Sequence, residues 1–143
     1  MLRQLLVGGG VSVVNIAIHA LVMTILVWVA RAVSAKNKSH PAVFLMVVMI
    51  STVSILMAAH VAEVLIWSVA YLMVGIAPKG AGSVVYFSFV NYTTLGYGDI
   101  IPTERWRLLG PITALNGVIL IGWSTAVIFE VLRRALARTE TAS

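Results

Sequence analysis

The apolar positions of this chain fall into three long runs and one short one, and most polar residues are confined to the gaps between them. The long runs extend from about Leu5 to Ala30, from about Pro41 to Ile76 and from about Arg107 to Arg133. At a helical rise of about 1.5 Å per residue, each is longer than the roughly 30 Å hydrocarbon core of a bilayer. Each therefore predicts a transmembrane helix. The second is the longest, so it is expected to tilt, to protrude or to open with an interfacial turn at Pro41. Pro78, Gly80 and Gly82 then break the pattern. Residues 83–93 form an apolar and aromatic segment too short to span, which predicts a re-entrant helix. Asp99 to Glu104, with Pro102, lead into the third span. The predicted fold class is an all-α membrane protein with three transmembrane helices and one re-entrant helix per chain.

Composition agrees with that reading. Sixty per cent of the 143 residues are apolar and only 10% charged, with a mean hydropathy of +1.00, far from the balance of a soluble domain. The net charge of +5 would suit nucleic acid if the basic residues formed a stripe. They instead sit at the ends of the apolar runs, so anionic lipid of the inner leaflet is the expected partner and nucleic acid is not. The absence of cysteine excludes disulfides and thiolate metal sites.

The basic residues also set orientation. Arg31, Lys36 and Lys38 lie between the first two runs, and Arg133, Arg134 and Arg138 follow the third. If the second span leads out, the re-entrant segment stays outside and the third span returns, both groups share one side. The positive-inside rule makes that side the cytoplasm. The expected topology is a multi-pass protein of the inner cell membrane, N-terminus outside and C-terminus cytoplasmic. Val33-Ser34-Ala35 could be taken for a signal-peptide cleavage site. The run before it is longer than the roughly 7–15 residues of a signal core and contains Asn15 and His19, which favours a span.

Candidate chemistry centres on Thr93-Thr94-Leu95-Gly96-Tyr97-Gly98-Asp99. Two glycines separated by one aromatic residue allow backbone angles that other residues resist. The segment can then present consecutive carbonyl oxygens, with the Thr94 hydroxyl, to a dehydrated cation. In its position between a short helix and a long apolar one, it resembles the selectivity filter of bacterial potassium channels of the two-transmembrane pore-loop family. The resemblance covers roughly Val43 to Arg134, with one extra helix in front. It implies a homotetrameric pore, with K+ as permeant ion and no organic cofactor. K+ would be held at Thr94, Leu95, Gly96 and Tyr97, the filter would run to Gly98, and Asp99 would stand at the outer mouth. It further implies that Tyr86 and Phe87 pack behind Tyr97. Two departures matter: Leu95 stands where valine or isoleucine is usual, and Val90 where some relatives carry a bracing glutamate. Division follows accordingly: an additional helix and loop over 1–40, a pore domain over 41–134 and a short tail over 135–143.

The third span should line the inner cavity. Gly117 and Gly122 permit either a bend, as a gating hinge, or close helix approach. Asn116, Ser124 and Thr125 are candidates for cavity-facing polar groups. Glu130 could ring the inner mouth or pair locally with Arg133 and Arg134.

His60 and Glu63 share one helix face, below an expected outer belt of Trp67 and Tyr71. Ionisable residues inside a membrane are costly and mark function or structure. Three readings fit: a structural hydrogen bond to Ser12 or Asn15 of the first span, whose face also carries His19; a pH sensor; or a divalent-metal site. No helix repeats arginine every third residue, so no voltage sensor of the usual kind is expected, and the ten residues after Arg133 predict no ligand-binding domain there. The function expected is passive potassium conduction, not catalysis. The alternatives are a weakly selective monovalent cation channel, or a pore or accessory subunit of a potassium transport system. A metalloenzyme at His60 and Glu63 lacks a completed ligand motif.

Overall fold

The structure, a computed structural model, describes residues 1–36, 41–76 and 81–141. Lys38, Pro78 and Gly80 lie outside the described residues, as do the side chains of Arg31, Lys36, Pro41 and Arg138. Four helices follow one another: α1 (Leu2–Lys36), α2 (Pro41–Val74), α3 (Ala81–Tyr92) and α4 (Leu109–Thr141), with a short 3-10 turn at Glu104–Trp106. No strand occurs among the described residues. Stretches of 29, 33 and 34 residues in α1, α2 and the 3-10 turn with α4 are long and apolar enough to cross a membrane. Helices are the expected solution, because each pairs its own backbone groups where lipid offers no partner.

The second span ends at a glycine cap. Gly75 takes a left-handed φ of +70°, the Ile76 amide donates to the Tyr71 carbonyl at 3.1 Å and the Gly75 amide to Leu72 at 3.1 Å. This pair of bonds closes the helix, and Ile76 then folds back into the core beside Tyr71. The helix therefore stops just before the end of its apolar run.

α1 packs on both α2 and α4, and α3 sits between α2 and α4. The start of α1 is tied to the start of α4, where Gln4 Oε1 accepts from the Leu108 amide at 2.7 Å. The first residues of α1, the last of α2 and the first of α4 thus lie at one end of the bundle, beside the 93–99 segment. Two apolar clusters hold the bundle. One, at that end, contains Val64, Trp67, Tyr71, Phe87, Tyr92 and Leu109. The other joins Met23, Leu26, Leu56 and Val131 toward the opposite end. Between them lies a polar layer.

Candidate functional site

The 93–99 segment begins where α3 ends, and its backbone has an alternating character. Positive φ values recur at every second residue: 61° at Thr94, 57° at Gly96 and 75° at Gly98. In an extended strand successive carbonyls point to opposite sides. Turning every second residue left-handed rotates alternate peptides and breaks that alternation. Glycine adopts such angles freely, but Thr94 is β-branched and is a genuine outlier there. Its conformation is held by the helix end. The Thr94 amide donates to Asn91 at 3.0 Å, while the amides of Leu95 and Gly96 donate to the Val90 carbonyl at 2.9 and 3.3 Å. The arrangement matches the cap at Gly75, with threonine in the place of glycine.

The side chains around this segment point two ways. Residues 93–99 are exposed in the single chain, and the Tyr97 ring is 67% exposed. The Tyr86 phenol lies close enough to Asp99 for the carboxylate's acceptor oxygen and negative charge to raise it above the ordinary phenol value. Phe87 is buried against Tyr71, with ring centres 5.0 Å apart. Within one chain, then, Tyr86 lies toward the segment's outer end and Phe87 belongs to the core.

Below the segment, the polar layer converges on one carboxylate. Glu63 is fully buried, as are Asn15 and His19 of α1. His19 Nδ1 stands 2.7 Å from Glu63 Oε1, and His60 Nδ1 lies 3.0 Å from Oε2. The Tyr92 hydroxyl also donates to Oε2. Three donors on one carboxylate require both rings to carry their proton on Nδ1. Both Nε2 atoms then face a single hydroxyl, Ser124 Oγ, at 2.9 Å for His60 and 3.4 Å for His19. One hydroxyl proton serves only one of them. Three donor atoms of His19, His60 and Glu63 lie within 4.8 Å of one another, a set that could hold a divalent metal. At 2.7 and 3.0 Å, however, the nitrogens and oxygens already satisfy each other as hydrogen-bond partners.

A second junction adjoins the first. Trp67 Nε1 donates to Asn116 Oδ1 at 3.0 Å, and Asn15 Nδ2 donates to the same oxygen at 3.2 Å and to the Glu63 backbone carbonyl at 3.3 Å. These donors fix which way both amides point, leaving Asn15 Oδ1 and Asn116 Nδ2 buried without partners among the described residues.

An ion-channel family model matches residues 59–134, more than half of the chain. The chain belongs to the two-transmembrane pore-loop ion-channel family. Comparison with curated proteins and with solved structures gives no significant match. The matched region runs from the middle of α2 through α3 and the 93–99 segment into α4, so the alternating backbone lies where such a family carries its pore loop. With three apolar helices, this ion channel is a multi-pass membrane protein carrying one helix beyond the two of the family.

Several sequence expectations need correction. Trp67 and Tyr71 are not an outer belt: both are fully buried, and Tyr71 is hydrogen-bonded to Thr113 of α4. Asn116 and Ser124 do not face a cavity but belong to the interhelical network, while Thr125 is exposed and bonds the Ile121 carbonyl of its own helix at 3.0 Å. The α1 partner of the Glu63 carboxylate is His19, one turn beyond Asn15. Of the two readings of Glu130, the structure shows the local one, a pair with Arg133 at 2.9 Å and with Arg134, so this expectation needs no correction. Gly117 is a contact glycine, since a Cβ there would stand 2.0 Å from the Tyr92 carbonyl oxygen. At Gly122 a Cβ would meet nothing within 4 Å. α4 runs unbroken through both. Tyr92 is a member of the polar layer that sequence reasoning missed, because a tyrosine in an apolar and aromatic run gives no sign of a partner 29 residues away.

Proposed function

We propose that the chain forms a potassium-selective channel as a homotetramer, with Thr94, Leu95, Gly96, Tyr97 and Gly98 as the filter. The observation that carries this reading is the left-handed backbone at Thr94, Gly96 and Gly98 directly after a short buried-end helix. Such alternation suits a column of carbonyls facing one axis, where they replace the hydration shell of a cation. One chain supplies a quarter of the ring. Four copies around an axis would also cover Tyr97, leaving its ring to pack against a neighbouring chain.

Ions would dehydrate between four sets of carbonyls and the Thr94 hydroxyls, then move by knock-on down their gradient. Asp99 adds negative charge at the mouth, beside the Tyr86 phenol. The exposed stripe of α4, Leu115, Val118, Ile119, Gly122, Thr125 and Phe129, is free in the single chain to face the cavity or a neighbouring copy. The orientation with the filter outside and the basic chain segments facing anionic lipid follows from the charge asymmetry. Leu95 contributes only its carbonyl to this scheme, so its side chain is compatible with potassium preference.

Purified protein in liposomes tests the proposal by potassium against sodium flux and by barium block. Barium-sensitive flux with strong preference for potassium is expected. Equal flux of the two ions would replace the reading with that of a weakly selective cation channel.

A further inference from the structure

The polar layer touches the filter through one residue. Tyr92 is the last residue of α3 and stands two positions before Thr94. Its phenol donates to Glu63 and lies 2.8 Å from His60 Nδ1, while its carbonyl oxygen fills the place a Gly117 side chain would need. The residue that launches the filter is thus gripped at its side chain by α2 and at its backbone by α4. Glu63 is itself gripped from α1, by His19 at 2.7 Å and, through its backbone carbonyl, by Asn15 at 3.3 Å.

We propose that Tyr92 is a positioning residue for the filter, that Glu63 is its anchor, and that His19 makes the N-terminal helix part of the same support. The proposal rests on reading residues 94–98 as a potassium filter. Thr94 is held in a backbone region that persists only when its surroundings over-determine it. Part of that constraint is local, in the Val90 and Asn91 carbonyls. The rest is the position of the α3 terminus, and Tyr92 is where that terminus is fastened to the other helices. A carboxylate acceptor suits the task, because charge-assisted hydrogen bonds are roughly twice as strong as neutral ones. Ion preference depends on carbonyl placement within the ring, so a loosened α3 end changes which ion passes and not only how well the helices cohere. That separates positioning from mere glue.

The test uses the full chain in phosphatidylcholine and phosphatidylglycerol liposomes, measuring potassium and sodium flux per assembled channel. The variants are Y92F, E63Q and H19Q, with T24A as control, since the Thr24 hydroxyl bonds the Ala20 carbonyl of its own helix at 2.8 Å. Y92F and E63Q are expected to lower the potassium-to-sodium flux ratio by roughly fivefold, the scale of one lost buried hydrogen bond. H19Q shifts it in the same direction by less, and T24A leaves it unchanged. Wild-type ratios in assembled Y92F and E63Q channels overturn the positioning role, whatever happens to yield. A wild-type ratio in H19Q alone overturns the part assigned to α1. If a variant assembles too poorly for flux, the extra heat resistance of the detergent-solubilised oligomer in potassium over sodium reads the same property. A difference equal to that of the unmodified chain then overturns the proposal. An unmodified channel without potassium preference fails at the first comparison, before any variant is considered, and removes the filter reading together with the positioning role.

Discussion

The carbonyl oxygen of Tyr92 lies against Gly117 so closely that a Cβ at 117 would stand 2.0 Å from it. Because the obstacle is backbone, no side-chain rotation relieves it. G117A should therefore push α3 and α4 apart and destabilise the assembled protein by about 1–3 kcal/mol, the usual cost of overpacking. G122A has open space in the chain and replaces a poor helix former, so it should be neutral or stabilising by up to about 1 kcal/mol. Thermal unfolding of the two variants in detergent checks the contrast. A G117A protein as stable as the unmodified one would contradict the close approach.

Thr94 pays a conformational cost for its hydroxyl. Left-handed backbone at a non-glycine residue costs about 1–2 kcal/mol, so T94G should gain roughly that in stability while losing potassium preference. T94S keeps the hydroxyl and should keep the preference. Flux ratios together with oligomer melting temperatures separate the two effects. Loss of preference in T94S, or its retention in T94G, would argue against a hydroxyl layer at this position.

The Trp67–Asn116 bond is a buried pair whose halves fail differently. Removing the acceptor in N116A strands the Trp67 N–H and one of the two Asn15 Nδ2 protons, the other still reaching the Glu63 carbonyl, costing about 1–3 kcal/mol. W67F removes one donor instead. The double variant should cost less than the sum of the singles, with a coupling of about 0.5–3 kcal/mol. Additive losses in thermal unfolding would show that the bond contributes nothing.

Tyr86 supplies the pH dependence. The neighbouring Asp99 carboxylate raises its phenol above the ordinary value. A raised folded value means the contact's contribution is fully present below the ordinary phenol value and is lost only as pH rises through the higher folded one. The outer contact should therefore persist across neutral and mildly alkaline pH. Phenolate absorbance, compared between the intact protein and Y86F, should show the missing group titrating above the ordinary phenol range. In D99N the same group should titrate lower. No difference between the intact protein and D99N would dismiss the contact.

The elements of this fold were legible in the sequence because spanning segments advertise themselves by length. The three long helices and the short α3 fall close to the apolar runs, and the pairing of His60 with Glu63 followed from helical spacing. Helix faces were a different matter. In α4 the stripe left exposed is as apolar as the buried one, so the pattern could not say that Asn116 and Ser124 turn inward to other helices. Asn15 was an expected partner of the His60 and Glu63 pair, and its amide does reach the Glu63 backbone. The carboxylate is met one turn away, by His19, since relative tilt and offset between helices are set by packing. Tyr92 and the burial of Trp67 stayed hidden for the same reason: their partners are far away in sequence. The alternating backbone at 94, 96 and 98 was readable at its glycines and unreadable at Thr94, where local chemistry opposes the conformation the helix end imposes.

The central claim is that Thr94 to Gly98, repeated by assembly, passes potassium in preference to sodium. Reversal potential in a planar bilayer, with potassium on one side and sodium on the other, tests it most directly. A large shift in the direction set by potassium permeation, abolished by barium, is expected. A reversal potential near zero, from the assembled full-length protein, would contradict it.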